Sequence, residues 1–335
     1  MKQNKNINHI INPLKNKVMK RFLFLSIAAT AMLASCTNDE MVEVNPQNAI
    51  GFETFVDKST RATDVTKTNL SAFEVYGWRT KGTTTEQIFD AQAVTANNGT
   101  CTYSPLQYWV GGYNYTFEAV APKSGEKGVT FNDANGASTI TFTSDAETDL
   151  IYATNSRNLT SADPTNTEVE LTFNHLLSRV KFTFTNEAEA NSAATITVSD
   201  VKITNAGNTA TYSPFTDGGK WGDVTGSQEV GFASTDIAGI AGGASEDTEH
   251  MYLIPCDVKD YTLSFKVTMT QKQNNSSTGV SDEFTYTNVK LANSSYILEK
   301  GNSYNFKTTF VPGFPITFTA EVTGWGPNFT DVTIP

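Results

Sequence analysis

The feature that most constrains this chain is a short-range alternation of apolar and polar residues that recurs from about residue 50 to residue 325. Leu70-Ser71-Ala72-Phe73-Glu74-Val75-Tyr76, Tyr113-Asn114-Tyr115-Thr116-Phe117-Glu118-Ala119-Val120 and Ser138-Thr139-Ile140-Thr141-Phe142-Thr143 show it in the first half. Val180-Lys181-Phe182-Thr183-Phe184-Thr185, Ala194-Thr195-Ile196-Thr197-Val198, Tyr261-Thr262-Leu263-Ser264-Phe265-Lys266-Val267 and Ile316-Thr317-Phe318-Thr319-Ala320-Glu321-Val322 carry it through the second. A period of two puts every other side chain on one face of a strand, so each run reads as a half-buried strand. The β-branched and aromatic residues that fill the runs suit a pleated surface. Turn formers separate them: Asn97-Asn98-Gly99, Asn135-Gly136, Asn205-Ala206-Gly207 and Asp217-Gly218-Gly219. No long segment has helical periodicity, and helix is expected at most as short pieces near Thr84–Phe89 or His175–Ser178. Many short strands at this spacing predict an all-β chain of β-sandwiches.

The polar stretch Asn158–Thr167, with Pro164 and several Asn and Asp residues, is the expected connection between two sandwiches, 49–167 and 168–335. Phe173, Leu176, Val180 and Phe182 are expected to start the second core.

The first 48 residues follow another logic. Lys20-Arg21 precedes an apolar run, Phe22 to Met32, that ends in Leu33-Ala34-Ser35-Cys36. A basic start, a short apolar middle and small residues before a cleavage point make a secretory signal. At about 14 residues the run falls short of the roughly 20 that span a bilayer as a helix. Leu-Ala-Ser-Cys resembles a bacterial lipobox, which implies a signal region 1–35 (Met19 being the better start), acylation of Cys36 and a lipidated spacer 36–48. Two or more acyl chains hold a protein stably on a membrane where one does not. The alternative is a plain signal peptide with an incidental cysteine.

Six of the 24 Lys and Arg, and none of the 35 Asp and Glu, lie before Cys36, which leaves 18 basic against 35 acidic residues in the exported part. A net charge near −17 argues against nucleic acid as a partner. Cys101 and Cys256 remain after Cys36. They are far apart in sequence; a disulfide is one reading, and two unrelated buried thiols is the favoured one. His175 and His250 are the only histidines beyond Cys36, too few for a His-based catalytic or multi-His metal centre.

Several runs together resemble the fimbrillin or Mfa-like family of Bacteroidetes surface lipoproteins. They are Tyr115 to Pro122 (YTFEAVAP), Asp149-Leu150-Ile151-Tyr152-Ala153, Phe173 to Phe182 (FNHLLSRVKF), Tyr252-Leu253-Ile254-Pro255, Leu298 to Tyr304 (LEKGNSY) and Val322-Thr323-Gly324-Trp325. Asp39-Glu40 after Cys36 also resembles that phylum's surface-export signal. The resemblance implies two tandem transthyretin-like β-sandwich domains after a lipoprotein signal peptide, and a non-enzymatic fimbrial (pilus) subunit or adhesin without cofactors. The implied place is the outer membrane surface and the fimbrium. The implied partners are other pilus subunits, an arginine-specific protease, the membrane through its lipid anchor, and a glycan or protein receptor. It further implies that a protease removes the first strand and that a neighbour's strand fills the groove. Ile50-Gly51-Phe52-Glu53-Thr54-Phe55-Val56 reads as that removable strand, with Ile50, Phe52 and Val56 on one face. Arg61, in the polar stretch Asp57–Asp64, stands at the position resembling the processing site, and an ordinary linker arginine is the plain alternative. Thr317–Pro335 is a candidate donor, interrupted at Gly326-Pro327.

Two further clusters have a chemical reading and a plainer one. Ser245-Glu246-Asp247-Thr248-Glu249-His250 gathers carboxylates that suit a divalent cation or simply a solvated acidic loop. Trp221, beside Asp217-Gly218-Gly219, suits either stacking on a sugar ring or plugging a domain edge. The sugar reading belongs to the alternative function, a surface glycan-binding lipoprotein that never polymerises. No Ser-His-Asp order, phosphate-binding loop or zinc spacing is found.

Overall fold

Each alternating run contributes a strand within the described residues. The structure, a computed structural model, describes residues 48–56, 65–159, 168–190, 192–232, 237–272, 279–311 and 318–324. Cys36, Arg61 and most of the Asn158–Thr167 connection lie outside the described residues. The first half contains β1 (Phe52–Val56), β2 (Ala72–Lys81), β3 (Thr84–Asn97), β4 (Thr100–Thr102), β5 (Tyr113–Ala121), β6 (Val129–Asn132), β7 (Thr139–Thr143) and β8 (Ile151–Leu159). Next come β9 (Val169–His175), β10 (Ser178–Asn186), β11 (Ala194–Ala206), β12 (Thr209–Ser213), β13 (Lys220–Trp221), β14 (Gln228–Gly231) and β15 (Ile237–Ala241). The chain continues through β16 (Ser245–Asp247), β17 (Met251–Leu253), β18 (Thr262–Lys272), β19 (Gly279–Lys290), β20 (Asn302–Phe310) and β21 (Thr319–Gly324).

Local chemistry explains the elements. In β9, Val169, Leu171, Phe173 and His175 are buried while Glu170, Thr172 and Asn174 are exposed, the burial expected of one covered face. Between β3 and β4, Asn98 and Gly99 both take positive φ (49° and 90°), the two-residue hairpin geometry that Asn-Gly favours. The expected short helices are not there. Residues 84–89 open β3 and pair with β2 from Lys81↔Thr84 onward, because the threonine run favours extended backbone over helix. His175 ends β9 and Ser178 begins β10.

Seven strands close into a ring in the order β1-β4-β3-β2-β5-β8-β9, with β1 paired to both β4 and β9. Its interior is one core, built on Phe52, Phe73, Phe89, Tyr115, Phe117 and Phe173 among others. In the second half, the sheet β16-β10-β20-β21 (with β17 on β10) and the sheet β14-β11-β18-β19 (with β15 on β11) enclose a second core. That core includes Val180, Phe182, Phe184, Phe265 and Phe306. Of the residues expected to start it, Val180 and Phe182 do so, whereas Leu176 lies in a separate cluster with Tyr152 and Trp221. Phe173 belongs instead to the first core, packed edge-on against Phe73 at 5.3 Å, because β9 pairs in parallel with β1.

A fourth sheet joins the halves. β6 and β7 pair with β12 and β13 in the order β13-β12-β7-β6, through Thr143↔Thr209, Phe142↔Ala210 and Ile140↔Tyr212. Under it lies a third apolar cluster containing Tyr76, Trp78, Phe142, Tyr152, Leu176 and Trp221.

Candidate functional site: the strand that closes the first core

β1 and the residues just before it carry Ile50, Phe52 and Val56, the side chains that the resemblance leads one to expect on one face. Ile50 and Phe52 are buried, Val56 is half-buried, and Thr54, at the position between Phe52 and Val56, is completely buried as well. The Phe52 ring is surrounded by Phe89 at 5.4 Å, Tyr103 at 5.6 Å and Phe117 at 5.9 Å. Burying a side chain of this size contributes about 1.5–3 kcal/mol, with more from edge-on ring pairs.

The backbone of β1 is held unevenly. Along β9 it pairs in parallel over five positions, Phe52↔Val169 to Val56↔Phe173. Along β4 it has one antiparallel pair, Glu53↔Thr100, with Thr54 N–H reaching Gly99 O at 3.3 Å. Upstream, Ile50 N–H donates to Gln107 O at 2.8 Å and the Tyr103 hydroxyl donates to Ile50 O at 2.6 Å. β1 is thus a short stave with strong apolar seating and modest pairing on one side.

Two details escaped the sequence. The buried Thr54 hydroxyl has no oxygen or nitrogen partner, and the polar group beside it is the Cys101 thiol of β4, pushed up to about 11 by burial. On the outer face, Lys67 Nζ lies 4.5 Å above the Phe55 ring and 3.5 Å from Glu53. A strand filling this trough therefore meets apolar pockets inside and a cation outside. Alternation alone marks the Thr54 position as inward-facing, but nothing in the sequence places Lys67. Cys101 and Cys256 are free thiols, not a disulfide.

Trp221 is buried in the cluster under the bridging sheet. Its indole N–H donates to Leu176 O at 2.8 Å, and its ring packs on Tyr212 at 5.3 Å. It plugs the joint, and a sugar stacked on it would have to open that packing. A cleft of about 610 Å³ lies nearby, lined by Thr154, Thr172, Asn174, Tyr212, Lys300 and Gly324 among others, without Trp221. The Lys300 ammonium there is taken up by the Tyr212 hydroxyl at 2.7 Å and the carbonyls of Gly218 and Gly219 at 3.2 and 3.0 Å. In the acidic run, Ser245–Asp247 form the edge strand β16, and Asp247 pairs with Lys181 and accepts from the Thr183 hydroxyl at 2.6 Å.

The described residues are all-β, and their first strand, β1, completes the first core. Fimbrillin-like proteins match residues 60–325, and the chain belongs to that family of fimbrial and cell-adhesion proteins. Fimbrium subunit Fim1C of Phocaeicola vulgatus is 28% identical over 185 residues, a match spanning 47% of this chain and 49% of that protein; the chain thus aligns with about half of this curated relative's length. The fold is shared with a fimbrial protein of Bacteroides vulgatus (TM-score 0.61, 19% identity, 83% of this chain and 99% of that one). It is also shared with a putative cell adhesion protein of Bacteroides ovatus (TM-score 0.50, 15% identity, 84% and 98%).

Proposed function

We propose that the chain is a pilus subunit, exported as a lipoprotein on Cys36 and assembled at the cell surface by strand exchange after cutting at Arg61 removes β1. The observation that carries this reading is a match of pattern between two ends of the chain. β1 presents Ile50-x-Phe52-x-Thr54-x-Val56 to the ring, and the C-terminal run reads Ile316-x-Phe318-x-Ala320-x-Val322. In its own chain β21 lies antiparallel on β20, with Phe318 against Phe182 at 5.6 Å and Phe265 at 6.3 Å. Laid into a neighbour's vacated trough in the β1 register, Phe318 takes the Phe52 pocket and Ala320 the Thr54 position. The second replacement exchanges a buried hydroxyl, whose polar neighbour is the Cys101 thiol, for an apolar methyl group. Glu321 then takes the Phe55 position, facing Lys67. Such an insertion is β-augmentation, with backbone bonds for affinity and alternate side chains for specificity. An emptied trough with an unpaired edge strongly favours refilling.

The division into domains 49–167 and 168–335 is part of this reading, with β9 reaching back to complete the first ring. The glycan-binding alternative gains no support from Trp221, whose ring is packed in the joint. Arg61→Ala is expected to leave monomeric, membrane-attached protein, and Cys36→Ala to abolish acyl labelling and release protein from the membrane fraction. Stable polymers from the Arg61→Ala chain, or unchanged acylation of the Cys36→Ala chain, overturn the corresponding half of the proposal.

A further inference from the structure

The bridging sheet rests on a carboxyl group. Glu118 projects from β5 away from the first core and is completely buried beneath β6 and β7. The Tyr152 hydroxyl of β8 donates to its Oε2 at 3.0 Å, and its Oε1 lies 3.0 Å from Ser138 Oγ in the turn before β7. Ser138 Oγ already accepts from Ala134 N–H at 2.9 Å and lies 3.0 Å from Ala134 O. A hydroxyl has one proton to give. If Ser138 donates it to Ala134 O, the Glu118 contact is completed only when the carboxyl donates, as a neutral acid does. Every polar atom of the group is then satisfied.

Among the described residues, no cation acts on Glu118. The groups facing Glu118 from the packed elements are Tyr76 on β2, with Glu74 bonded to its hydroxyl at 3.1 Å, and Tyr152 on β8. Asp133 and Ser138 face it from the β6–β7 turn, and Asp133 acts on it as a like charge. β12 contributes Tyr212, 6.5 Å from Tyr152 between ring centres, and the Lys300 ammonium is held on the far side by the Tyr212 hydroxyl. Opposite Glu118 on β8 stands Thr154, whose hydroxyl donates to Phe117 O at 3.1 Å, and the apolar cluster under the bridging sheet includes Val129, Phe131, Ile140 and Phe142. Burial accordingly raises the carboxyl from the usual 4.5 to about 7.

We propose that Glu118 is a proton latch: the bridging sheet seats fully on the first ring while this buried acid is protonated, and the joint between the two halves loosens as the proton is lost. Ionised, Glu118 is a buried anion held by two hydroxyl donors. The strands above it are the ones that connect the halves, β7 from the first and β12 from the second. The folded chain holds a proton that the unfolded chain gives up near 4.5, so closure is favoured most at low pH and weakens as pH rises to about 7, then stays level.

The Trp221 indole proton, bonded to Leu176 O inside the joint, reports closure. In the purified mature protein its exchange protection, referenced to a free indole at each pH, is expected to fall by up to about tenfold per pH unit between roughly 5 and 7. Glu118→Gln, which imitates the protonated acid, is expected to hold protection constant across that range, and Glu74→Gln to follow the wild type. An equal fall in Glu118→Gln, or no fall in the wild type, overturns the latch. Should Glu118→Gln fail to fold, carbon-13 titration of the wild-type Glu118 carboxyl decides. A neutral signal persisting above pH 6 supports the latch, and an ionised signal at pH 5.5 refutes it.

Discussion

Truncating one ring in β1 tests how the closing strand is held. Phe52 is 2% exposed and touches three aromatic neighbours, whereas Phe55, three residues on, is 36% exposed under Lys67. Phe52→Ala leaves a cavity among Phe89, Tyr103 and Phe117, and such truncations cost about 3–5 kcal/mol. The position lies in a short strand that can fray, so the lower end, about 3 kcal/mol, is expected. Phe55→Ala loses a partly solvated cation–ring contact worth about 0.5–1 kcal/mol. In urea unfolding of the otherwise intact chain, Phe52→Ala should lower the midpoint by about 1–2 M, several times the shift from Phe55→Ala. Equal shifts, or a Phe52→Ala cost under about 1 kcal/mol, refute the claim that apolar seating rather than backbone pairing secures β1.

Three other outcomes follow from the same geometry. A chain begun at Ala62 lacks the strand beside Cys101, so that thiol, pushed up by burial in the intact protein, should react faster with a maleimide at pH 8; adding a peptide of residues 48–57 should slow it again. Trp221→Phe keeps an aromatic ring but removes the N–H-bearing part of the indole and leaves Leu176 O without its donor; calorimetry should show a loss of at least about 1–3 kcal/mol. Gly128 has φ +77° and a Cβ there would sit 2.1 Å from Thr143 O, so Gly128→Ala should destabilise the β6–β7 hairpin by more than about 1 kcal/mol, read by thermal unfolding.

What could be read from sequence was local. Alternation gave the inward faces of β5, β10, β11 and β18, and Asn-Gly gave the hairpin at residues 98 and 99. The long-range partners could not be read. That β1 closes a ring depends on its meeting β4 and β9 from opposite sides, about 50 and 120 residues away, and no local pattern encodes that. Phe173 was assigned to the wrong core for the same reason, since its strand follows the expected connection but pairs backward. Glu118 occupies a polar position of a regular alternation and reads as solvent-facing; it is buried because β6 and β7 fold over it. The threonines of residues 83–85 carried the strand signal over a stretch read as possible helix, and Trp221 kept two readings until its N–H found Leu176.

The central claim is that a neighbour's C-terminal strand replaces β1 in register. The most direct measurement is zero-length carboxyl–amine cross-linking of polymers assembled from an equal mixture of nitrogen-14 and nitrogen-15 subunits. Mass spectrometry should find Lys67 joined to Glu321 in peptides carrying mixed isotopes, from subunits whose first residue is Ala62. Polymers whose subunits retain residues 50–56, or whose Glu321 joins only Lys307 of its own chain, contradict the account.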